Sequence, residues 1–357
     1  VIIFRYLVRE VYGMLLACTG VLLLLLISNQ FIHYLRQAAA GILPLYSVLQ
    51  LASLQMPLLL GILMPLGLYL GILIAYGRLY TDREMVVLFS CGFSKKQLLG
   101  RTLGFSAVVC VIIALLTTLI QPKMEVYKRH IVADAAAASP LERATENQFM
   151  PLADGKLVFY TQDLSRDHKQ LQQVFAAQRA EDAGGWNIIV AERGEQRIDP
   201  QTRDRFLELQ DGYRYIGMPG VDNFQVVQYK TYGIRIEKSN VSKELPPEAL
   251  STGTLWQQRH GNRPLQAELQ WRFALPLSGM ILALLAVALS EVDPRQGRYA
   301  QLVPAFLLYI LYINLLLVSR SWLEKGQISS GIGLWWVHGL MLLITAFLLW
   351  RFMRQRR

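Results

Sequence analysis

The sequence predicts an α-helical membrane protein with six transmembrane helices, three before and three after an inserted all-β domain. Three observations carry this. Apolar residues fall in six long blocks, near 11–32, 48–76, 98–121, 272–290, 300–319 and 332–351. Each block contains an uncharged run, such as Val11–Ile27, Thr102–Ile120 or Phe273–Leu289, and about 20 apolar helical residues cross a bilayer core of about 30 Å. Between the third and fourth blocks the text changes to short alternating runs, which divides the chain into 1–121, 122–268 and 269–357. The composition agrees: 53% of residues are hydrophobic, 17% are charged and the mean hydropathy is +0.30, whereas soluble domains run near 45–50% apolar and about 25% charged. Disorder, collagen and a disulfide scaffold are excluded. Cys18, Cys91 and Cys110 all avoid the long polar segment.

Taken in order, the first block runs on without a small-residue cleavage site, so no cleavable signal peptide is expected. The second carries Pro57, Pro65, Gly61, Gly67 and Gly71. It should be kinked or tilted and closely packed, because Pro removes an internal hydrogen bond and Gly admits a neighbouring backbone. A short helix follows near 82–91. Thr81 with Glu84 fits a T-x-x-E capping box, Gly92 suits the position after the helix, and Ser94 with Gln97 repeats the box before the third span. Met85, Leu88 and Phe89 share one face, with Asp82, Arg83 and Glu84 at the start. Such a helix either rests on the lipid surface or docks as a coupling helix into a cytoplasmic motor.

After a helix around Lys123–Ala138, short alternating runs appear at Lys156–Thr161, Val174–Arg179, Trp186–Glu192, Phe206–Gln210, Gly212–Ile216 and Phe224–Ile236. Turn signals separate them at Asp154-Gly155, Gly184-Gly185, Asp199-Pro200, Asp211-Gly212 and Met218-Pro219-Gly220. This is the pattern of an antiparallel sandwich, jelly roll or open barrel. Its apolar positions either fill an ordinary core or line a sheet that holds a lipid or pairs with a partner's strand. In the fifth span, Asn314 is expected to hydrogen-bond to a neighbouring helix.

The net charge of +10 is no nucleic-acid footprint. From Lys123 to Glu268 there are 19 Lys and Arg against 20 Asp and Glu, so the whole basic excess lies beside the apolar blocks. One side of the spans holds Arg5, Arg9, Arg78, Arg83, Lys95, Lys96, Arg101, Arg295, Arg298, Arg351, Arg354, Arg356 and Arg357. The other holds Arg36, Arg272, Arg320 and Lys325. Basic residues accumulate on the cytoplasmic side, which puts both termini inside and residues 122–268 outside. Trp271, Trp322, Trp335, Trp336 and Trp350 sit at span ends, where amphipathic rings favour the interface.

Catalytic parts are missing. The chain has no phosphate-binding G-x-x-x-x-G-K-[ST] loop, no H-E-x-x-H helix and no G-x-S-x-G elbow, and its five histidines are dispersed. Acidic residues avoid the apolar blocks, which disfavours a proton-driven transporter. The outer end of the first span instead gathers Asn29, Gln30, His33 and Arg36. Arg36 either snorkels to headgroup phosphates as an anchor or binds the phosphate of a lipid being moved, for which its planar fork of donors is suited.

Five segments together resemble the lipopolysaccharide-export permeases of the LptF/LptG family, the F-type subunit most closely. They are Arg5-Tyr6-Leu7-Val8-Arg9-Glu10, Leu79-Tyr80-Thr81, Cys91-Gly92-Phe93-Ser94-Lys95, Glu268-Leu269-Gln270-Trp271-Arg272 and Asp293-Pro294-Arg295-Gln296-Gly297-Arg298. The resemblance covers the whole chain and implies a multi-pass protein of the bacterial inner membrane with a periplasmic, jelly-roll-like β domain. It implies four partners: a homologous G-type permease, two copies of a cytoplasmic ATPase, a periplasmic bridge of similar β domains, and lipopolysaccharide. No cofactor is expected on this chain, ATP and Mg entering through the ATPase. By the resemblance Asp82, Arg83, Glu84, Met85, Leu88 and Phe89 form the coupling helix, with Glu84 the polar contact to the ATPase. Spans one and five become lateral gates, and Gln30, His33 and Arg36 become the lipopolysaccharide-binding group. The competing readings are a permease of another ATP-driven exporter, for lipoproteins or peptides, a membrane-bound lipid-modifying enzyme, and an assembly scaffold.

Overall fold

The computed structural model describes residues 2–39, 43–137, 149–152, 157–165, 170–179, 185–198, 205–218, 224–236, 245–259, 261–291 and 302–354. Six helical stretches are long and apolar enough to cross a membrane: Ile2–Ala39, Leu45–Thr81, Lys95–Ala133, Arg263–Leu289, Leu302–Lys325 and Trp335–Arg354. Most overrun their apolar blocks, because the helical hydrogen-bond ladder continues into the flanking polar residues. We label the described helices α1 (Ile2–Ala39), α2 (Leu45–Thr81), α3 (Glu84–Ser90), α4 (Lys95–Leu115), α5 (Gln121–Ala137), α6 (Thr252–Gln258), α7 (Arg263–Leu289), α8 (Leu302–Lys325) and α9 (Trp335–Arg354). Contacts divide the chain into two compact units. One comprises Val1–Asn29, Ser53–Tyr127 and Glu244–Arg357, the other Gln30–Ala52 and Lys128–Lys243.

In the first unit α2 and α7 are central, buried along most of their lengths, while α1 and α8 are largely exposed. The helix α2 runs unbroken through Pro57 and Pro65. Its glycines do what the sequence suggests: a Cβ at Gly71 would stand 2.9 Å from the Leu15 backbone nitrogen, and one at Gly67 would collide with the Thr19 hydroxyl. Glycine thus lets the α1 and α2 backbones touch. Between α4 and α5 the helix widens into a π segment, Leu116–Ile120. Here Thr117 Oγ1 donates to the carbonyl of Arg272 at 3.1 Å, and the carbonyl of Thr118 accepts from Thr252 Oγ1 at 2.7 Å. At the opposite end, Lys95 Nζ pairs with Glu291 at 3.3 Å and donates to the Phe352 carbonyl at 2.8 Å, fastening α4 to the ends of α7 and α9. Asn314 departs from expectation: its amide turns back to the Ile310 carbonyl of its own helix at 2.8 Å.

The second unit contains a six-stranded antiparallel sheet in the order β1 (Met150–Leu152), β2 (Leu157–Leu164), β3 (Gln170–Arg179), β4 (Trp186–Ile198), β5 (Arg205–Gly217) and β6 (Phe224–Ile236). The inserted β domain is therefore present. Its described pairings all join consecutive strands, and the jelly-roll-like curl goes further than these pairings do. One row is skipped in every ladder from β2 to β6: Gln162, Gln173, Glu192, Asp211 and Lys230. Gln173 and Asp211 have φ of 53°, the left-handed region. Across the row the buried positions step by three instead of two, from Leu171 to Val174, Ala191 to Gly194 and Leu209 to Gly212. All five strands skip a residue at this same row, so the register is identical on both sides and the sheet is creased along one line.

The crease corrects the strand expectations. Asp211-Gly212 is not a turn between two strands but the middle of β5. β2 and β4 continue past Thr161 and Glu192, and β3 begins before Val174, because the period-2 pattern breaks at this row. The expected turns at 154–155 and 199–200 and the motif at 293–298 lie outside the described residues, as do Gly184, Pro219 and Gly220. Asp211→Val, a β-branched residue in the left-handed region, should weaken the sheet by about 1–2 kcal/mol, while Asp211→Gly should be neutral or slightly stabilising. Hydrogen exchange of the β5 amides in the detergent-solubilised full chain measures both.

Candidate functional site

The segment read as a coupling helix is α3, and it is shorter than expected. Arg83 precedes it in the left-handed region with φ of 61°, with no side-chain cap. The expected Thr81–Glu84 capping box does not form. Thr81 Oγ1 donates to the Gly77 carbonyl at 2.9 Å, and Glu84 Oε2 accepts from the Tyr6 hydroxyl at 2.6 Å. A tertiary partner on α1 thus wins over the local one. Gly92 takes φ of 90° after the helix, and the Ser94–Gln97 box forms as expected.

Met85 is fully buried, and Leu88 and Phe89 pack against the same core. These three side chains hold α3 onto the bundle, Phe89 lying between the rings of Tyr80 and Phe93. Burying a side chain such as Met85 contributes about 1.5–3 kcal/mol. The face left outward consists of Asp82, Arg83, Val86, Val87, Ser90 and Cys91. Val86 and Val87 are 56% and 60% exposed, an apolar pair on a firmly seated helix. The inward face was legible as amphipathic, but a single stripe cannot say whether it faces its own core or a partner.

At the far end of α1, His33 and Arg36 are exposed and Gln30 is half-buried. His33 Nε2 and Gln37 Nε2 lie 2.9 Å apart within hydrogen-bond distance. Beside them Tyr34, Leu43, Val48 and Leu51 close a small core with Ile131. The sheet adds a second surface. Phe159, Leu171, Val174, Ile189, Leu207 and Leu209 fill one face. On the half of the sheet holding Trp186, the other face is also apolar, carrying the row Tyr160, Phe175, Val190 and Tyr213 and the row Val158, Ala177, Ile188, Tyr215 and Val226. Val190, Tyr213, Tyr215 and Val226 are exposed there. Among the described residues no group of His, Cys, Asp or Glu is arranged to hold a metal ion.

A six-helix bundle interrupted by this sheet, with a seated short helix between its second and third spans, matches known proteins along its whole length. The family described as "Lipopolysaccharide export system permease LptF/LptG" matches residues 5–351. The chain belongs to this family. It is 30% identical over 363 aligned positions to the lipopolysaccharide export system permease protein LptF of Escherichia coli K12, covering 100% of this chain and 97% of that protein. The protein of the same name from Shigella flexneri is similar to the same degree and extent.

Within this LptF/LptG chain, one polar centre exceeds what the sequence suggested. Arg272, a basic residue beside a span and the last residue of the Glu268–Arg272 segment, is fully buried, as is Glu268. Its guanidinium donates to Glu268 Oε1 at 2.9 Å, to Thr252 Oγ1 at 2.9 Å and to the carbonyls of Pro247, Glu248 and Leu250 at 3.3, 3.1 and 3.0 Å. Glu268 Oε2 accepts from Arg320 of α8 at 3.0 Å, and Arg320 also reaches Glu248 at 3.2 Å. The segment returning from the sheet is thereby joined to α7 and α8. The signal in the sequence is the i,i+4 spacing of Glu268 and Arg272, within one of the segments that carry the family resemblance. Arg272→Met leaves Glu268 and three carbonyls with lost partners and should cost about 3–5 kcal/mol. Pairing it with Glu268→Leu should recover most of the loss, as read by thermal unfolding in detergent.

Proposed function

We propose that this chain is the F-type permease subunit of an ATP-driven exporter, which takes lipopolysaccharide from the outer leaflet of the inner membrane and hands it to a periplasmic bridge. The observation that carries the reading is the family match over residues 5–351, on a chain with all six spans and the inserted sheet. In this reading both termini are cytoplasmic, and a G-type permease stands against the exposed apolar faces of α1 and α8. Two copies of a cytoplasmic ATPase sit below, one of them on α3. The ATPase supplies ATP and Mg, and this chain contributes no catalytic group.

The physical demand on such a protein is shielding. Several acyl chains left in water would cost on the order of tens of kcal/mol at about 0.8 kcal/mol per methylene. A path for them has to stay apolar from the bilayer to the bridge, and the sheet offers apolar surface for its later part. In this reading Gln30, His33 and Arg36 receive the lipid's phosphates by charge and hydrogen bonding. Nucleotide closure of the ATPase would push on α3 and tilt the spans that bound the cavity.

The test is gentle extraction of the chain, tagged at its C-terminus, from native membranes. Recovery of a second six-span permease, a cytoplasmic ATPase and lipopolysaccharide is the expected result. A different ATPase without the glycolipid would favour another exporter, and the chain alone would reopen the enzyme and scaffold readings. Val87→Asp changes only an exposed side chain, so the variant should fold while losing about tenfold in ATPase recovery, the loss of a well-placed apolar contact.

A further inference from the structure

We propose that Tyr6 is a positioning residue of the exporter, whose hydroxyl, acting through Glu84, makes helix α1 follow α3. The inference rests on the reading of α3 as the element on which the ATPase pushes.

Two ties join the start of α3 to one face of α1. The first is direct, the 2.6 Å hydrogen bond from the Tyr6 hydroxyl to Glu84 Oε2. The second is a relay. Arg78, at the end of α2, donates to Glu10 Oε2 at 2.8 Å and lies 4.0 Å from Asp82. Tyr6 and Glu10 are four residues apart and so share a face of α1. Between the same turns Leu7 and Val11 are fully buried in the core that also holds Met85. Along the rest of its spanning length α1 is mostly exposed, and it is held there by the Gly67–Gly71 approach and by Tyr12, whose hydroxyl donates to the Phe105 carbonyl of α4 at 3.1 Å.

The two ties differ in what they can transmit. Arg78 sits between two carboxylates on long, half-exposed side chains, and such a pair yields easily. The tyrosine ring is rigid, and its hydroxyl meets a carboxylate oxygen at short range, the stronger kind of hydrogen bond. Glu84 is the first residue of α3 and follows directly on the left-handed joint at Arg83. A push on the outer face at Val86 and Val87 therefore reaches Glu84 through the body of α3, and reaches α1 through Tyr6. α1 continues unbroken to Ala39 and carries Gln30, His33 and Arg36, so the tie connects the motor-facing helix with the helix that bears the lipid-facing group.

The experiment uses the complete copurified exporter in lipid vesicles. It measures lipopolysaccharide released per ATP hydrolysed for the wild type, Tyr6→Phe, Glu84→Gln, Glu84→Ala and the Tyr6→Phe/Glu84→Ala pair. Tyr6→Phe should lower the ratio about tenfold, the factor that loss of a hydrogen bond to a charged group represents. Glu84→Gln keeps an acceptor and should retain most of the coupling. Tyr6→Phe should add nothing once Glu84→Ala is present. In parallel, spin labels at the native Cys91, exposed at the end of α3, and at Leu16→Cys on α1, with Cys18 and Cys110 replaced by Ala, should keep one narrow separation with and without nucleotide. In Tyr6→Phe that separation should broaden and become nucleotide-dependent. A wild-type ratio with an unchanged narrow separation in Tyr6→Phe would overturn the inference, and so would losses that simply add in the double variant. If the wild-type α3 label does not respond to nucleotide when measured against a label on the ATPase, the proposed function falls and this inference with it. A responding α3 with an indifferent Tyr6→Phe overturns the inference alone.

Discussion

Hydrocarbon offers no hydrogen-bond partner, so every backbone N–H and C=O inside it has to be satisfied within its own segment. The rest of this molecule follows from that constraint. Six stretches are continuous helices, and even Pro57 and Pro65 do not break α2. Where the ladder does change, at the π segment Leu116–Ile120, Thr118 donates back to the carbonyl of Ala114, and the Thr117 hydroxyl lies within hydrogen-bond distance of the carbonyls of both Ile113 and Arg272. The sheet, whose edges would be left unpaired in lipid, belongs to the second compact unit.

The same constraint drives the polar chemistry to the ends of the bundle. At one end Tyr6, Glu10, Arg78, Asp82 and Glu84 lace α3 to α1 and α2. At the other, Arg272, Glu268 and Arg320 join the segment returning from the sheet to α7 and α8. A fully buried guanidinium needs protein partners in place of water, and five acceptors surround Arg272. Between these two clusters lies a core of aliphatic and aromatic side chains with close backbone contacts at Gly67 and Gly71. The arrangement suits a transport subunit: polar joints at both ends and a mainly apolar interior.

Much of this was legible. The six apolar blocks and the alternating insert define the fold class because hydrophobic length and period are local properties. The Ser94–Gln97 box and the role of Gly92 could be read for the same reason, each depending on residues within four positions. Misreadings arose where distant residues compete. The T-x-x-E spacing from Thr81 predicts a capping role for Glu84, but the hydroxyl of Tyr6, 78 residues away, takes its carboxylate. Asp211-Gly212 was a sound indication of a left-handed residue, yet whether such a residue reverses the chain or creases a sheet depends on what the neighbouring strands do at the same row.

By itself, then, the sequence determined the number and apolar extent of the spans, the inserted β domain and the amphipathic stripe of α3, since burial of apolar surface and backbone satisfaction act over a few turns. Only the tertiary structure decided which way that stripe faces, which partner Glu84 takes and how deeply Arg272 lies. It also decided that five strands bend at one row. Each of these is a choice among partners far apart in the chain, and the energies that settle it exist only once packing has brought them together.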